Sequence, residues 1–320
     1  MSKNIAIVAG EPFSINSEII AKSWKLIRKN ERKNIFVIGN FKLIKSQLQK
    51  KRIKIPIKEI NNIKNIDSSN SLKVLNINLN FKNPFKINKK DKSIYVLNCL
   101  DKAHKLAREK IIFGFVNAPI DKKIFNSKYL GVTEYLSKKN KLKGEEVMLL
   151  FNKKLSVVPI TTHLNIREVS KKLKSSLIEK KIKTLNKFYI KKLNIKPNIA
   201  VLGLNPHNAE GRPNSEEQKI IIPVIKKLKK KINVKGPYPA DSLFMREKKS
   251  AFHVIVGMYH DQVLAPFKAL YDFDAINVTL GLSYIRISPD HGTGKDIVFK
   301  NKANPLSLIN SLKFFKLIKE

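Results

Sequence analysis

Three apolar runs in the sequence each end on a histidine: Val157-Val158-Pro159-Ile160-Thr161-Thr162-His163, Val201-Leu202-Gly203-Leu204-Asn205-Pro206-His207, and Val254-Ile255-Val256-Gly257-Met258-Tyr259-His260-Asp261. The chain has six histidines, so half of them share this context. Neutral imidazole binds zinc and other divalent ions, and three such ligands leave a coordination position open for a substrate. One strand-end histidine alone reads more readily as a locally hydrogen-bonded ring. Three in the same context favour a metal site made by His163, His207 and His260. Their long separations exclude a zinc finger. Proton transfer beside such a site needs a base, for which Asp241 and Asp261 are the candidates. Either could equally orient a metal-bound histidine, a role that suits Asp261 because it adjoins His260.

A second group follows His260: Lys268, Asn277 and Arg286. Two cations and an amide suit a phosphate or carboxylate, with arginine for two-pronged contact and lysine as a point charge. Arg286 stands out because it is embedded in the apolar stretch Leu282-Ser283-Tyr284-Ile285-Arg286-Ile287, and a buried arginine needs an anionic partner. A third group is the loop Asp290-His291-Gly292-Thr293-Gly294-Lys295-Asp296. Its glycines would let backbone amides approach the phosphate or adenosine side of a cofactor. No GxGxxG follows the first strand, so the dinucleotide fingerprint of the Rossmann fold is absent.

Short apolar runs alternate with amphipathic segments over most of the chain. Strands are expected over 4–9, 34–38, 111–116, 147–151, 156–160, 198–202, 253–257 and 275–280. Helices are expected over 17–29, 93–108, 174–192, 215–231 and 305–319. Such alternation predicts an α/β protein with a mostly parallel sheet covered on both faces. Residues 58–90 are rich in Asn and Lys with weak periodicity, and irregular structure is expected there. The polar motifs directly follow apolar runs, at the strand ends where open α/β sheets hold ligands.

The 320 residues suffice for two domains, and 42% hydrophobic content is that of a folded globular chain. No run approaches the roughly 18 apolar residues needed to cross a bilayer. The single cysteine, Cys99, rules out an internal disulfide and fits a reducing compartment, so a cytoplasmic location is expected. The net charge is +39, from 64 Lys and Arg against 25 Asp and Glu. That is the usual footprint of nucleic-acid binding. Here the lysines are dispersed, and runs such as Lys171-Lys172, Lys180-Lys181, Lys226-Lys227 and Lys229-Lys230-Lys231 are expected on solvated helix faces. A nucleic-acid-binding protein remains the alternative of a different class. A metal-dependent hydrolase, with the histidines activating water, is another.

Taken in order along the chain, these motifs resemble the 4-hydroxythreonine-4-phosphate dehydrogenases, the PdxA family of vitamin B6 biosynthesis. The resemblance is carried by Thr161-Thr162-His163, by Gly203-Leu204-Asn205-Pro206-His207 with Glu210-Gly211, and by Gly236-Pro237-Tyr238-Pro239-Ala240-Asp241-Ser242-Leu243-Phe244. It continues in Tyr259-His260-Asp261-Gln262, Asn277-Val278-Thr279-Leu280-Gly281-Leu282 and Asp290-His291-Gly292-Thr293. It implies two α/β/α domains similar to the isocitrate and isopropylmalate dehydrogenases, with the active site in the interdomain cleft of a homodimer. The expected limits are 1–125 plus 281–320 for a cofactor-side domain, and 126–280 for a domain of metal, substrate and dimer contacts.

By the same resemblance, His163, His207 and His260 bind one divalent metal (zinc, magnesium or cobalt), with ligands drawn from both subunits. Thr133, Lys268, Asn277 and Arg286 contact a phosphorylated hydroxy-amino acid, and Asp290, His291, Gly292 and Thr293 lie on NAD or NADP. The implied reaction oxidises 4-phosphohydroxy-L-threonine to a β-keto acid, which decarboxylates to 3-amino-2-oxopropyl phosphate. Two departures stand out. Val132 replaces the histidine of the family's Gly-His-Thr-Glu, which keeps open a paralogue acting on another phosphorylated hydroxy acid, such as a phosphothreonate. Gly10-Glu11-Pro12-Phe13-Ser14-Ile15-Asn16-Ser17-Glu18 also lacks two of the family's glycines, at Ser14 and Asn16, altering a turn.

Overall fold

The computed structural model describes residues 4–319 apart from 68, 126–128, 130, 143, 246–248 and 273. The chain divides into two compact units, one made of residues 1–138 and 283–314, the other of 139–282 and 315–320.

The sheet of the first unit contains strands β1 (Ile5–Val8), β2 (Ile35–Gly39), β3 (Ile57–Ile60), β4 (Leu72–Asn76), β5 (Gly114–Asn117) and, from the far end of the chain, β12 (Ile285–Pro289). They run in the order β3-β4-β2-β1-β5-β12, every neighbouring pair parallel. Parallel strands need crossover connections, supplied here by α1 (Asn16–Leu26), the short α2 (Lys29–Arg32), α3 (Phe41–Lys50) and α4 (Lys89–Arg108). β2 and β5 are buried along their whole length, as strands covered on both faces must be. Helix α4 begins at Lys89 because the Asn88 side chain accepts from the Asp91 N–H at 2.9 Å, an N-cap worth about 1 kcal/mol. α4 presents Tyr95, Val96, Cys99, Leu100 and Ala103 inward at helical spacing.

Residues 58–90 are more regular than the sequence suggests, since β3 and β4 fall within or beside them. Lys73, in the middle of β4, has no exposed surface; it pairs with Asp67 at 3.2 Å and donates to the Ser69 carbonyl at 2.6 Å. A lysine so compensated breaks the apolar pattern without breaking the strand. β3 is an edge strand whose Lys58 and Glu59 are exposed, a common guard against edge pairing.

The second unit holds β6 (Val147–Phe151), β7 (Ser156–Pro159), β8 (Ile199–Leu202), β9 (Val234–Tyr238), β10 (Val254–Gly257) and β11 (Ile276–Leu280). Their order is β11-β6-β7-β10-β8-β9; β6 is antiparallel to both β11 and β7, and the remaining pairs are parallel. β9 escapes a sequence reading because it contains Gly236 and Pro237, which an edge strand tolerates. Helices α5 (Val132–Lys139, nearly all of it in the first unit), α6 (Ile166–Lys172), α7 (Ser175–Phe188), α8 (Ile222–Leu228), the short α9 (Ala240–Leu243) and α10 (His260–Tyr271) complete the middle of the chain. α11 (Leu306–Phe314) follows in the first unit. The helices expected over 174–192 and 215–231 each include a π-turn, Tyr189–Leu193 and Glu217–Ile221, that the apolar spacing does not reveal.

A core of Leu150, Val157, Ala200, Leu202, Ile255, Val263 and Phe267 joins this sheet to α10. Full burial of each of its larger side chains contributes about 1.5–3 kcal/mol. The lysines of α7 and α8 largely face solvent, Lys180, Lys226 and Lys227 among them, as do Lys229 and Lys230 just beyond α8. Lys181 is the exception: it is buried with Ile178, Ile182 and Leu185, because its position falls on the inward stripe of α7.

Candidate active site

The topology of the second unit explains why three histidines end three apolar runs. β7, β10 and β8 are consecutive neighbours and mutually parallel, so their C-terminal ends share one edge of the sheet. His163, His260 and His207 each follow within a few residues of that edge. The structure brings two of them together: the rings of His163 and His260 have centroids 5.8 Å apart and planes 38° from parallel. Two imidazoles sharing a tetrahedral ion, with nitrogen–metal distances of about 2 Å, have centroids roughly 5–6 Å apart. The pair therefore fits a common ion.

His260 Nδ1 lies 2.6 Å from Asp261 Oδ1. An ionised carboxylate only accepts, so in the neutral imidazole Nδ1 carries the proton and Nε2 keeps its lone pair for a ligand. His207 is exposed, and among the described residues no three His, Cys, Asp or Glu side chains of one chain gather into a metal group.

His207 opens an unusual backbone segment. His207, Asn208, Ala209 and Glu210 all have left-handed dihedrals, with φ of 47°, 55°, 54° and 52°. For residues other than glycine or asparagine this costs about 1–2 kcal/mol each. Asn208 Nδ2 donates to the Pro237 carbonyl at 3.0 Å, and Arg212 N–H to the Ala209 carbonyl at 3.0 Å, which holds the turn in place. Gln262, absent from the sequence-derived site residues, ties two histidine-bearing ends together. Its Nε2 donates to the Gly203 carbonyl at 2.7 Å, and its Oε1 accepts from Met258 N–H at 2.7 Å. Thr161 links the third end by donating to the Met258 carbonyl at 2.7 Å.

The remaining substrate candidates of this unit lie apart in sequence. Lys268 is exposed in the last turn of α10. Asn277 sits on β11, and its buried Oδ1 has no hydrogen-bond partner, a state that an N–H or O–H of a ligand would relieve. Asp241 is exposed in the first turn of α9.

In the first unit, Arg286 lies in the middle of β12 and is 3% exposed. Its Nε donates to Asn117 Oδ1 at 2.6 Å and its Nη1 to Thr133 Oγ1 at 3.2 Å, so two residues expected to contact substrate meet. Burial pushes the guanidinium down to about 10, against the opposing pull of Tyr284 and Glu134, so it stays charged at neutral pH. Asn117 was missed by the sequence reading; the available signal was a polar residue ending an otherwise apolar strand.

The loop that begins at Asp290 is fastened at both ends. Asp290 N–H donates to Ser307 Oγ at 3.0 Å, and the Thr293 carbonyl accepts from Ile15 N–H at 3.0 Å. His291 Nδ1 lies 3.0 Å from the Gly292 carbonyl. Nothing stands within 4 Å of where a Cβ on Gly292 would be, so the backbone there is open to a ligand. Lys295, at the loop's end, pairs with Asp121.

Ile15 belongs to the turn after β1, where two of the family's glycines are replaced. Both replacements are used: Ser14 Oγ donates to the Glu11 carbonyl, and Asn16 Nδ2 donates to the carbonyls of Ala9 at 3.0 Å and Pro119 at 2.8 Å. The turn also buries Glu11, 3.2 Å from Lys92; burial raises its pKa and Lys92 opposes that rise.

Comparison with known proteins agrees along nearly the whole chain. The family model of the pyridoxal phosphate biosynthetic protein PdxA matches residues 31–315. The 4-hydroxythreonine-4-phosphate dehydrogenase of Sulfurihydrogenibium sp. (strain YO3AOP1) is 37% identical, covering 98% of each chain. The crystal structure of 4-hydroxythreonine-4-phosphate dehydrogenase from Klebsiella pneumoniae superposes with a TM-score of 0.85 at 29% identity, over 98% of this chain and 99% of that one. Isocitrate dehydrogenase from Methylococcus capsulatus shares the fold alone, with a TM-score of 0.50 at 11% identity over 98% and 84% of the two chains. With the matching motifs carried on the strand ends described above, the chain belongs to the PdxA family of pyridoxal phosphate biosynthetic proteins.

Proposed function

We propose that this chain catalyses the NAD-dependent oxidation of 4-phosphohydroxy-L-threonine, with a divalent ion held by His163, His260 and His207. The observation that carries this reading is the His163–His260 pair, 5.8 Å between ring centroids, with Asp261 fixing the tautomer of His260. The exposed His207 is read as a ligand offered across a homodimer, so that each site draws on two subunits. When bound, the ion supplies Lewis acidity at the substrate hydroxyl, and the nicotinamide supplies the hydride acceptor.

The protein's own groups bind and orient. Arg286, itself aimed by Asn117 and Thr133, holds an anionic end of the substrate, and Lys268 adds a second positive charge. Asn277 offers a free acceptor to the substrate's amine or hydroxyl. Asp241 is the candidate to take the hydroxyl proton; Asp261, engaged by His260, serves to orient that ring. Asp290, His291, Gly292 and Thr293 are the residues that would lie along the cofactor. With the cofactor bound, the C3 hydrogen would leave as hydride for the nicotinamide and the hydroxyl proton would pass to a base. The β-keto acid then loses its C1 carboxylate as carbon dioxide and takes up a proton at C2, giving 3-amino-2-oxopropyl phosphate.

The test is NADH absorbance with 4-phosphohydroxy-L-threonine and NAD, before and after chelation and with a divalent ion restored. Reduction lost with chelator and recovered with the ion is the expected result. No reduction by folded, metal-loaded protein removes this substrate, and activity on a phosphothreonate instead would trace the change to Val132. NADP in place of NAD separates the two cofactors in the same assay. Among the described residues no helix is long and apolar enough to cross a membrane.

A further inference from the structure

We infer that Glu217 is a positioning residue that fixes the loop bearing His207, an inference that rests on the reading of His207 as a metal ligand. Glu217 opens the π-turn after the loop and has no exposed surface. Its carboxylate is buried inside the unit; burial acts to raise its pKa, but N–H groups of that loop, with a further bond from its own backbone N–H, hold it below the usual carboxylate value. Oε1 accepts from the backbone N–H of Leu204 at 2.7 Å and of Asn205 at 2.8 Å, and Oε2 accepts from Asn205 Nδ2 at 3.0 Å. Glu216 adds a second hold on the same amide, its Oε2 lying 2.8 Å from Asn205 Nδ2.

Only an acceptor on both oxygens satisfies this set. A glutamine would turn an NH2 toward one of the three donors, leaving an N–H facing an N–H. The carboxylate also fills space: a Cβ on Gly203 would stand 3.1 Å from Glu217 Oε1 and 2.2 Å from Asn208 Oδ1. The loop is thus clamped just before His207 by Glu217 and just after it by the hydrogen bond from Asn208 to the Pro237 carbonyl. Between the two clamps the backbone turns left-handed. Gln262 still holds Gly203, but without the first clamp Leu204 and Asn205 lose their anchor and the imidazole two residues on loses its bearing.

Cobalt(II) is the probe: its visible absorption reports coordination, and competition with a chelator gives its affinity without turnover. Glu217→Gln is expected to weaken cobalt binding 10–100-fold, the range for groups that orient a ligand. His207→Ala weakens it at least as much. The double variant Glu217→Gln/His207→Ala is expected to bind no more weakly than His207→Ala alone, because Glu217 acts through that ring. A merely structural role would lower affinity by the same factor in both backgrounds, and that outcome overturns the inference. So does Glu217→Gln with wild-type affinity. If Glu217→Gln does not accumulate as folded protein, Asn205→Ala removes one of the three donors; a several-fold loss supports the inference and unchanged affinity overturns it. Wild-type protein that binds no cobalt, or His207→Ala with undiminished affinity, defeats the metal reading itself and this inference with it.

Discussion

Replacing Asn117 by alanine separates the aim of Arg286 from its charge. Asn117 Oδ1 accepts from Nε at 2.6 Å, the shorter of the two bonds described, and the guanidinium is 3% exposed, so little water can take the amide's place. Hydrogen bonds to charged groups contribute about 1.5–3 kcal/mol, and each 1.4 kcal/mol is tenfold in an equilibrium constant. If the loss is felt mainly in anion binding, affinity should fall about 10–150-fold. Thr133→Val removes the longer bond of 3.2 Å at nearly constant shape, and its effect should sit near tenfold. Asn117→Asp keeps the acceptor and adds a negative charge, so affinity should fall while the melting temperature changes little. The assay is protection against thermal unfolding by inorganic phosphate, which reads affinity directly through ligand linkage, alongside KM and kcat for the oxidation. Equal protection of wild type and Asn117→Ala, or a greater loss in Thr133→Val, would refute the assignment of Asn117 as the residue that aims the guanidinium.

Three further outcomes are expected. Cys99 is fully buried on α4 and burial pushes its thiol upward, so native protein should not react with a thiol reagent until unfolded; prompt labelling would contradict the packing of α4. Lys183 and Lys227 hold the Glu179 carboxyl at about 2, below its ordinary 4.5. A depressed carboxyl stabilises the fold above pH 4.5, and that contribution is lost as pH falls toward and through about 2. Carboxyl NMR should show the low value, rising toward 4.5 in Lys227→Met; an unchanged titration would exclude the pairing. Gly236 has φ of +135°, and a Cβ there would lie 2.3 Å from the Val201 carbonyl oxygen. Gly236→Ala should therefore cost about 2–5 kcal/mol in urea unfolding, or fail to fold, whereas a loss under about 1 kcal/mol would show that β8 and β9 separate easily.

The sequence was most legible where strands are buried on both faces. β1, β2, β6, β7, β8, β10 and β11 read as apolar runs close to their observed limits, and the alternation gave the α/β class. It was least legible where a charge is compensated inside an element. Lys73 hid β4 behind its ion pair with Asp67, and Lys181 passed for a surface lysine. Arg286 was conspicuous because apolar neighbours leave a guanidinium no water, but its partner Asn117 comes from a strand 169 residues away in the chain. Glu217 did not stand out for a similar reason, and Gln262 did so only as the last residue of the Tyr259-His260-Asp261-Gln262 motif. Nothing local distinguishes a glutamate that binds a distant loop from the glutamates of a solvated helix.

The left-handed turn at His207 carries a lesson for anyone who would stabilise this protein. Glycine adopts such dihedrals without the clash that a side chain meets, at the cost of a more flexible unfolded chain. Ala209→Gly should thus leave the melting temperature unchanged or raise it, with a net gain of about 1 kcal/mol at most. Selection for thermal tolerance alone would therefore draw substitutions toward the segment that carries the proposed ligand His207. A library screened by heating and then by turnover would reveal that conflict as variants that survive the first sieve and fail the second.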